Sequence, residues 1–226
     1  DQLSPLTDED WMRGDPDAPI TIVEYADFQC PACANFAMGM HGLMTEYPSL
    51  INIVFRHMPL SSIHNLAYIS SMAAEAAGAQ GKFWEMHDQL YLRQQEWAQL
   101  DEDGFTEWAV FQAEALDLDV DQFETDLNDE TARAELEETT TTRLNLGLYY
   151  TPFVVINDRV YREGKPNLAG LIGIHGYDGY EECPEWVIEP DADYTAVLDT
   201  SAGEIELNLF PESAPLAVNS FVFLAQ

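Results

Sequence analysis

Basic side chains are scarce in this sequence. Its 226 residues include 41 aspartates and glutamates but only nine lysines and arginines, so the formal net charge is −32. Lys82 and Lys165 are the only lysines. A surface this acidic repels the phosphates of nucleic acids and of anionic lipids. We therefore exclude nucleic acid as a partner.

Long apolar stretches are also missing. No run approaches the roughly 18 apolar residues that a membrane helix needs, so no membrane-spanning segment is expected. The hydrophobic content of 46%, with five Trp, ten Tyr and eleven Phe, is typical of a globular protein with a substantial core. Because Asp1 is not a natural start, we expect a targeting segment to be absent from this chain.

Acidic residues are densest between Asp101 and Glu138, where Arg133 is the only opposing charge. We favour the interpretation that this run keeps the surface solvated, which is the usual purpose of such runs. The alternative is an acidic helical face that docks basic partners.

Cysteine occurs three times, and two of the three are close together. Cys30-Pro31-Ala32-Cys33 lies between an apolar run and a helix-like stretch. The N-terminus of a helix presents unpaired N–H groups and partial positive charge, which favour the reactive thiolate at Cys30. Pro31 suits the first helical turn, where its missing N–H costs nothing. This context predicts a redox pair.

The competing interpretation of this motif is a zinc site. A structural zinc site needs four ligands, usually from two paired elements. Cys183 stands alone beside Pro184, and no second ligand pair follows His41. We therefore expect no metal and no cofactor, and the unpaired Cys183 remains without an assigned role.

The residue pattern predicts alternating strands and helices. A strand, a helix and a second strand form a parallel crossover unit, and a helical insertion at about 63–147 then precedes a terminal hairpin. In chain order we predict strand 20–26, helix 34–47, strand 51–55, the insertion, strand 153–156, a turn at 157–158, strand 160–162 and helix 167–175.

Two further features lie near the cysteine motif in this pattern. Glu24 is on the first strand, six residues before Cys30, and a buried carboxylate there can accept and return protons. Thr151-Pro152 precedes a strand, where an X-Pro bond can be cis and its backbone can pair with an extended peptide. We assign no catalytic role to any of the five histidines.

Four segments together resemble the DsbA-like branch of the thioredoxin superfamily. They are Val23–Cys33 with the sequence VEYADFQCPAC, Phe55–Leu60 with FRHMPL, Ala73–His87 with AAEAAGAQGKFWEMH, and Thr151-Pro152. The resemblance covers residues 12–178. It implies an α/β thioredoxin fold with a helical insertion between the second strand and the cis-proline strand.

The resemblance also implies a function and roles for individual residues. Cys30 is then the exposed nucleophile, Cys33 the resolving thiol and Glu24 the buried acid. Thr151 and Pro152 form the substrate-side wall, next to Pro31 and Ala32. The implied activity is thiol–disulfide exchange outside the cytoplasm (in the periplasm, at the cell surface or after secretion), with cysteine-containing exported proteins and an unknown recycling partner.

Position 32 departs from the family pattern. The most oxidising members carry histidine there, and Ala32 cannot add positive charge near the thiolate. We expect the pKa of Cys30 to lie between the roughly 3.5 of DsbA and the roughly 7 of thioredoxin. The oxidase direction is favoured over reduction and isomerisation.

The C-terminal segment Tyr194–Gln226 is similar to the opening hairpin and first helix of a cyclophilin-type prolyl isomerase. Two alternating strands turn at Ser201-Ala202-Gly203, and a helix starts near Ala214. We therefore predict a redox domain at 1–190 and a partial cyclophilin-like segment at 191–226, without isomerase activity.

Two other functions stay open. One is a redox-inert folding or interaction module that uses the acidic helical face. The other is a dedicated reductase for one client protein.

Overall fold

The computed structural model describes residues 5–7, 10–157, 159–161, 187–189, 192–200, 203–211, 218 and 222. The chain divides into two compact units, Asp1–Gly176 and Tyr177–Gln226. The predicted domain boundary at 190/191, the predicted helix 167–175 and Cys183 lie outside the described residues.

The first unit contains a five-stranded sheet with the order β1-β3-β2-β4-β5. Its strands are β1 (Trp11–Gly14), β2 (Ile20–Ala26), β3 (Ile51–His57), β4 (Phe153–Ile156) and β5 (Arg159–Tyr161). β2 and β3 are parallel, as the crossover predicts, and β4 and β5 form the predicted antiparallel hairpin. β1 was not predicted, because four residues are too few for a clear alternation.

β2 is the central strand of the sheet and pairs with β3 on one side and β4 on the other. All seven residues of β3 are buried, including the polar Asn52, Arg56 and His57. Glu24 lies in the middle of β2, between Phe55 of β3 and Val154 of β4. The sheet therefore places one carboxyl group in the centre of the core.

The segment between β3 and β4 is helical, as predicted. Its helices are α2 (Ala67–Ala79), α3 (Phe83–Leu92), α4 (Gln94–Trp97), α5 (Glu102–Ala115), α6 (Val120–Leu127) and α7 (Glu130–Asn145), and α1 (Pro31–Glu46) precedes them in the chain. The insertion has its own aromatic core, in which Trp97, Phe105 and Phe123 are fully buried.

Part of the acidic run has a local structural role. Asp101, Asp119 and Asp129 are the N-cap residues of α5, α6 and α7, and the carboxylate of each accepts hydrogen bonds from backbone N–H groups of the first turn. Such caps satisfy donors that the helix leaves unpaired, and negative charge is favourable at that end.

The second unit contains an antiparallel hairpin of β6 (Tyr194–Thr200) and β7 (Gly203–Leu209). Gly203 closes the hairpin with a φ of 121°, a backbone conformation that favours glycine. Of the helix predicted from Ala214, only Val218 and Val222 lie within the described residues, and both are helical. Across the described parts of the chain, no helix is both long and apolar enough to cross a membrane.

The packing of α2 against β1 leads to a prediction about stability. A Cβ added at Gly78 would lie 2.5 Å from a ring carbon of Trp11, and that ring is itself stacked on Phe83 at 4.3 Å. Because overpacking strains a close-packed core, Gly78→Ala should lower the free energy of unfolding by about 1–3 kcal/mol.

Gly39→Ala in α1 is the matched control. A Cβ at this exposed helical glycine meets no atom within 4 Å, so the change should stabilise the protein by about 0.5–1 kcal/mol. Urea denaturation measures both effects. If Gly78→Ala and Gly39→Ala changed the free energy of unfolding by the same amount, the proposed contact with Trp11 would be contradicted.

Candidate active site

The cysteine motif forms the start of α1. Cys30 is the N-cap residue, with an extended backbone (φ −74°, ψ 120°), and Pro31 occupies the first helical position. The carbonyl of Cys30 accepts the first helical hydrogen bond, from the N–H of Ala34 at 3.2 Å. The sulfur of Cys30 therefore lies at the end of α1 that carries unpaired N–H groups and partial positive charge.

The loop before Cys30 is fixed by buried polar side chains. Asp27 Oδ1 accepts a hydrogen bond from the backbone N–H of Gln29 at 2.8 Å, and the Gln29 amide donates to the carbonyl of Ala98 at 2.8 Å. Gln94 Nε2 donates to the carbonyls of Phe28 and Cys30 at 2.7 and 3.1 Å. The helical insertion thus holds the motif in place.

Cys30 and Cys33 differ in accessibility, and both are free thiols. Cys33 is 0% exposed, whereas Cys30 is 8% exposed. The expectation of a freely exposed Cys30 was therefore wrong, because the Thr151 segment covers its sulfur: Cys30 Sγ lies 3.5 Å from the carbonyl oxygen of Thr151. Cys30 is nevertheless the more accessible of the two cysteines.

The surroundings of Cys30 favour its thiolate. A hydrogen bond from the Cys33 thiol is the largest effect, and the Thr151 side chain and the N–H groups of Cys33 and Ala32 act in the same direction. Burial opposes them, but the pKa of Cys30 is lowered from 9.0 to about 5. This value lies within the range expected from the sequence.

Cys33 and Glu24 have the opposite preference. Burial, the neighbouring Cys30 and the charge of Glu24 raise the pKa of Cys33 well above 9.0. Glu24 is fully buried, and this burial together with the negative charge of Cys30 raises its pKa well above 4.5. The site therefore favours the thiolate at Cys30 and the protonated forms of Cys33 and Glu24.

The Thr151–Pro152 peptide bond, next to Cys30, is cis. Thr151 and Pro152 are partly buried, while Pro31 and Ala32 on the other side of the sulfur are exposed. Thr151 and the sequence neighbours Pro31 and Ala32 thus lie next to Cys30.

Three histidines are tied to carboxylates near the motif, and the sequence analysis gave them no role. His64 Nδ1 lies 2.8 Å from Asp27 Oδ2, and this hydrogen bond raises the pKa of His64. His57 Nε2 lies 2.7 Å from Glu75 Oε1. His87 Nδ1 lies 2.9 Å from Asp88 Oδ1. The partners of His57 and His64 are 18 and 37 residues away in sequence, so no local pattern could have indicated them.

Within the described ranges, no group of three or more His, Cys, Asp or Glu side chains is arranged to hold a metal ion.

Comparison with known proteins places this site in a family. The family model described as Thioredoxin matches residues 6–170, which is well over half of the chain. The chain belongs to this thioredoxin family.

Curated relatives match over part of their length. The Na(+)/H(+) antiporter NhaA 1 of Salinispora arenicola is 38% identical over 164 residues, which cover 73% of this chain and 24% of the antiporter. The Na(+)/H(+) antiporter NhaA of Herminiimonas arsenicoxydans is 31% identical over 153 residues, which cover 68% of this chain and 23% of that antiporter. The chain thus spans about a quarter of the length of these relatives.

Solved structures with a similar fold include thiol–disulfide exchange proteins. Wolbachia pipientis α-DsbA1 has a TM-score of 0.59 at 24% identity, covering 71% of this chain and 82% of that one. Oxidised BdbD of Bacillus subtilis has a TM-score of 0.59 at 18% identity, covering 73% of this chain and 90% of that one. At these identities the comparison shows the fold, a mixed α/β thioredoxin-like sheet with helices.

Proposed function

We propose that this chain is a protein thiol–disulfide oxidoreductase that exchanges disulfides with cysteines of exported proteins through Cys30 and Cys33. The observation that carries the proposal is the split between the two sulfurs. The pKa of Cys30 is lowered to about 5, whereas the pKa of the buried Cys33 is raised. A thiolate beside a protonated partner is what a nucleophile and a resolving thiol require.

In the oxidising direction the pair starts as a disulfide. A substrate thiolate attacks Cys30 Sγ, the Cys30–Cys33 bond breaks, and Cys33 leaves as a thiolate that takes up a proton. A second substrate thiolate then attacks the substrate sulfur joined to Cys30. The substrate leaves with a disulfide, Cys30 leaves as a thiolate, and two electrons have moved to the pair.

Glu24 is the proposed proton donor and acceptor for Cys33. Its carboxyl is buried, and its charge acts on Cys33, so the two groups are close enough to interact. A carboxyl with a raised pKa can protonate the leaving Cys33 thiolate, and it takes the proton back when Cys33 attacks.

The proposed substrate surface consists of Pro31 and Ala32 on one side of Cys30 and Thr151 and Pro152 on the other. Its support is the contact between Cys30 Sγ and the carbonyl of Thr151. A backbone at this position can pair with an extended peptide whose cysteine reaches the sulfur.

The oxidase direction is favoured because a stabilised thiolate in the reduced pair makes the disulfide form more oxidising. An extracytoplasmic location and a redox-recycling partner follow from this direction. They are supported by the fold shared with DsbA-like proteins.

For the second unit, we keep the proposal of a partial cyclophilin-like segment. Its support is the β6–β7 hairpin, in which Thr200 pairs with Gly203. Removing residues 191–226 should leave disulfide exchange nearly unchanged and the redox domain folded. Circular dichroism measures whether the shortened chain is folded. If it is unfolded, the tail is an integral part of the redox domain.

Replacing single cysteines tests the proposed activity. In a Cys183→Ser background, Cys30→Ser should abolish oxidation of a reduced model protein, because no nucleophile remains. Cys33→Ser, mixed with an oxidised model protein, should instead accumulate a mixed disulfide at Cys30 as a substrate thiolate leaves, and mass spectrometry detects it.

Exchange at the parental rate in Cys30→Ser would overturn the proposal, and binding without exchange in the parent would favour the interaction module.

Equilibration with glutathione then tests the direction. A reduction potential near −120 mV indicates an oxidase, and one near −270 mV indicates a reductase.

A further inference from the structure

Glu24 has no direct route to solvent. It is 0% exposed, and within the described part of the chain neither oxygen of its carboxyl group has a hydrogen-bond partner. Burial favours the protonated form of Glu24, so this group must lose its own proton before it can accept the one that Cys33 gives up. The structure must therefore provide a path for that proton.

A small cavity connects Glu24 with a histidine. Its volume is about 20 Å³, and both Glu24 of β2 and His87 of α3 line it. A polar cavity of this size has room for one water molecule. Arg13, His41 and Asp88 also line the cavity; His41 is exposed and the Asp88 side chain is 32% exposed, so the lining extends to the protein surface.

His87 is held in one tautomer. Its Nδ1 lies 2.9 Å from Asp88 Oδ1, and the same carboxylate accepts two hydrogen bonds from the Arg13 guanidinium at 3.0 and 2.9 Å. A carboxylate held by Arg13 is an acceptor, so Nδ1 carries the hydrogen and Nε2 has a free lone pair. Among the described residues, the buried Nε2 has no partner.

The ring of His87 is also fixed by its neighbours. The rings of Phe55, Trp84 and Tyr91 surround it, with centroids 4.9–5.2 Å away. Glu24 and His87 thus line one water-sized cavity. The Glu24 carboxyl and His87 Nε2 each lack a partner that a water would supply.

We propose that one water in this cavity passes protons between the Glu24 carboxyl and His87 Nε2, and that His87, positioned by Asp88 and Arg13, exchanges them with solvent. This relay rests on the proposed exchange function. It makes His87 a positioning residue, since it acts on the sulfurs only through Glu24.

The step can be written for the resolution of a mixed disulfide at Cys30. Glu24, which starts with its proton, first gives it to the water, which gives one to His87 Nε2, and the imidazolium releases it to solvent. The Cys33 thiol then gives its proton to the Glu24 carboxylate, and the Cys33 thiolate attacks Cys30 Sγ. The bond from Cys30 to the outer sulfur breaks, that sulfur leaves as a thiolate, and Glu24 is again protonated.

Charged and titratable groups from three strands and two helices lie around His87. They are Arg13 (β1), Glu24 (β2), His57 (β3), His41 (α1), and Asp88 and Tyr91 (α3). Burial lowers the pKa of His87, and Asp88 opposes that effect. The ring is therefore neutral near pH 7 and can accept a proton, while the paired Asp88 stabilises the imidazolium that forms.

The test uses the full chain in a Cys183→Ser background, with thionitrobenzoate joined to Cys30 as a disulfide. Attack by Cys33 releases the coloured thiolate, and stopped-flow absorbance gives its rate as a function of pH. His87→Gln should slow release about tenfold near pH 7, and the loss should shrink at high pH, where hydroxide can remove the proton. Its solvent deuterium isotope effect should exceed that of the parent.

Two further variants calibrate the result. Glu24→Gln should slow release at least as much as His87→Gln. His57→Gln removes a second buried imidazole, which lies near the same aromatic rings but does not line the cavity, and its rate should stay within twofold of the parent. No release in the parent itself would overturn the exchange function. Release in the parent with an unchanged pH profile in His87→Gln, or a loss that is uniform across pH, would overturn the relay alone.

Discussion

The burial of one carboxyl group in the centre of the sheet is the constraint on which the active site depends. Glu24 occupies the middle of β2, between two buried strands, and both of its oxygens lack partners among the described residues. An ionised carboxylate there is costly, so the group keeps its proton. A negative charge on the Glu24 carboxylate disfavours a second negative charge on the Cys33 sulfur. Glu24 and Cys33 are therefore the two groups of the site that favour their protonated forms.

Other parts of the fold stabilise a negative charge on the sulfur of Cys30. α1 begins at Cys30, so the helix N-terminus and the Cys33 thiol both stabilise the Cys30 thiolate. The helical insertion holds this arrangement, because Gln94 binds the carbonyls of Phe28 and Cys30. Its acidic residues serve in part as N-caps, which gives the unusual composition a structural cause.

Much of this architecture could be predicted from the sequence, because its signals are local. Apolar runs indicated β2 and β3, and Pro31 between two cysteines marked the start of a helix. The missing parts depend on distant contacts. Only the family resemblance, and no local pattern, placed Thr151 beside Cys30, which is 121 residues away. The Arg13–Asp88 pair that fixes His87 joins residues 75 apart. No periodicity or turn pattern encodes such pairs.

The central claim is that Cys30 is a thiolate at a pH where Cys33 keeps its proton. Brief iodoacetamide labelling of the reduced chain across pH, followed by mass mapping of each cysteine, tests it most directly. Labelling of Cys30 should rise with a midpoint at about pH 5, while Cys33 stays unlabelled up to at least the ordinary thiol pKa of 9.0. Labelling of Cys33 ahead of Cys30, or a Cys30 midpoint near that ordinary value, would contradict the account.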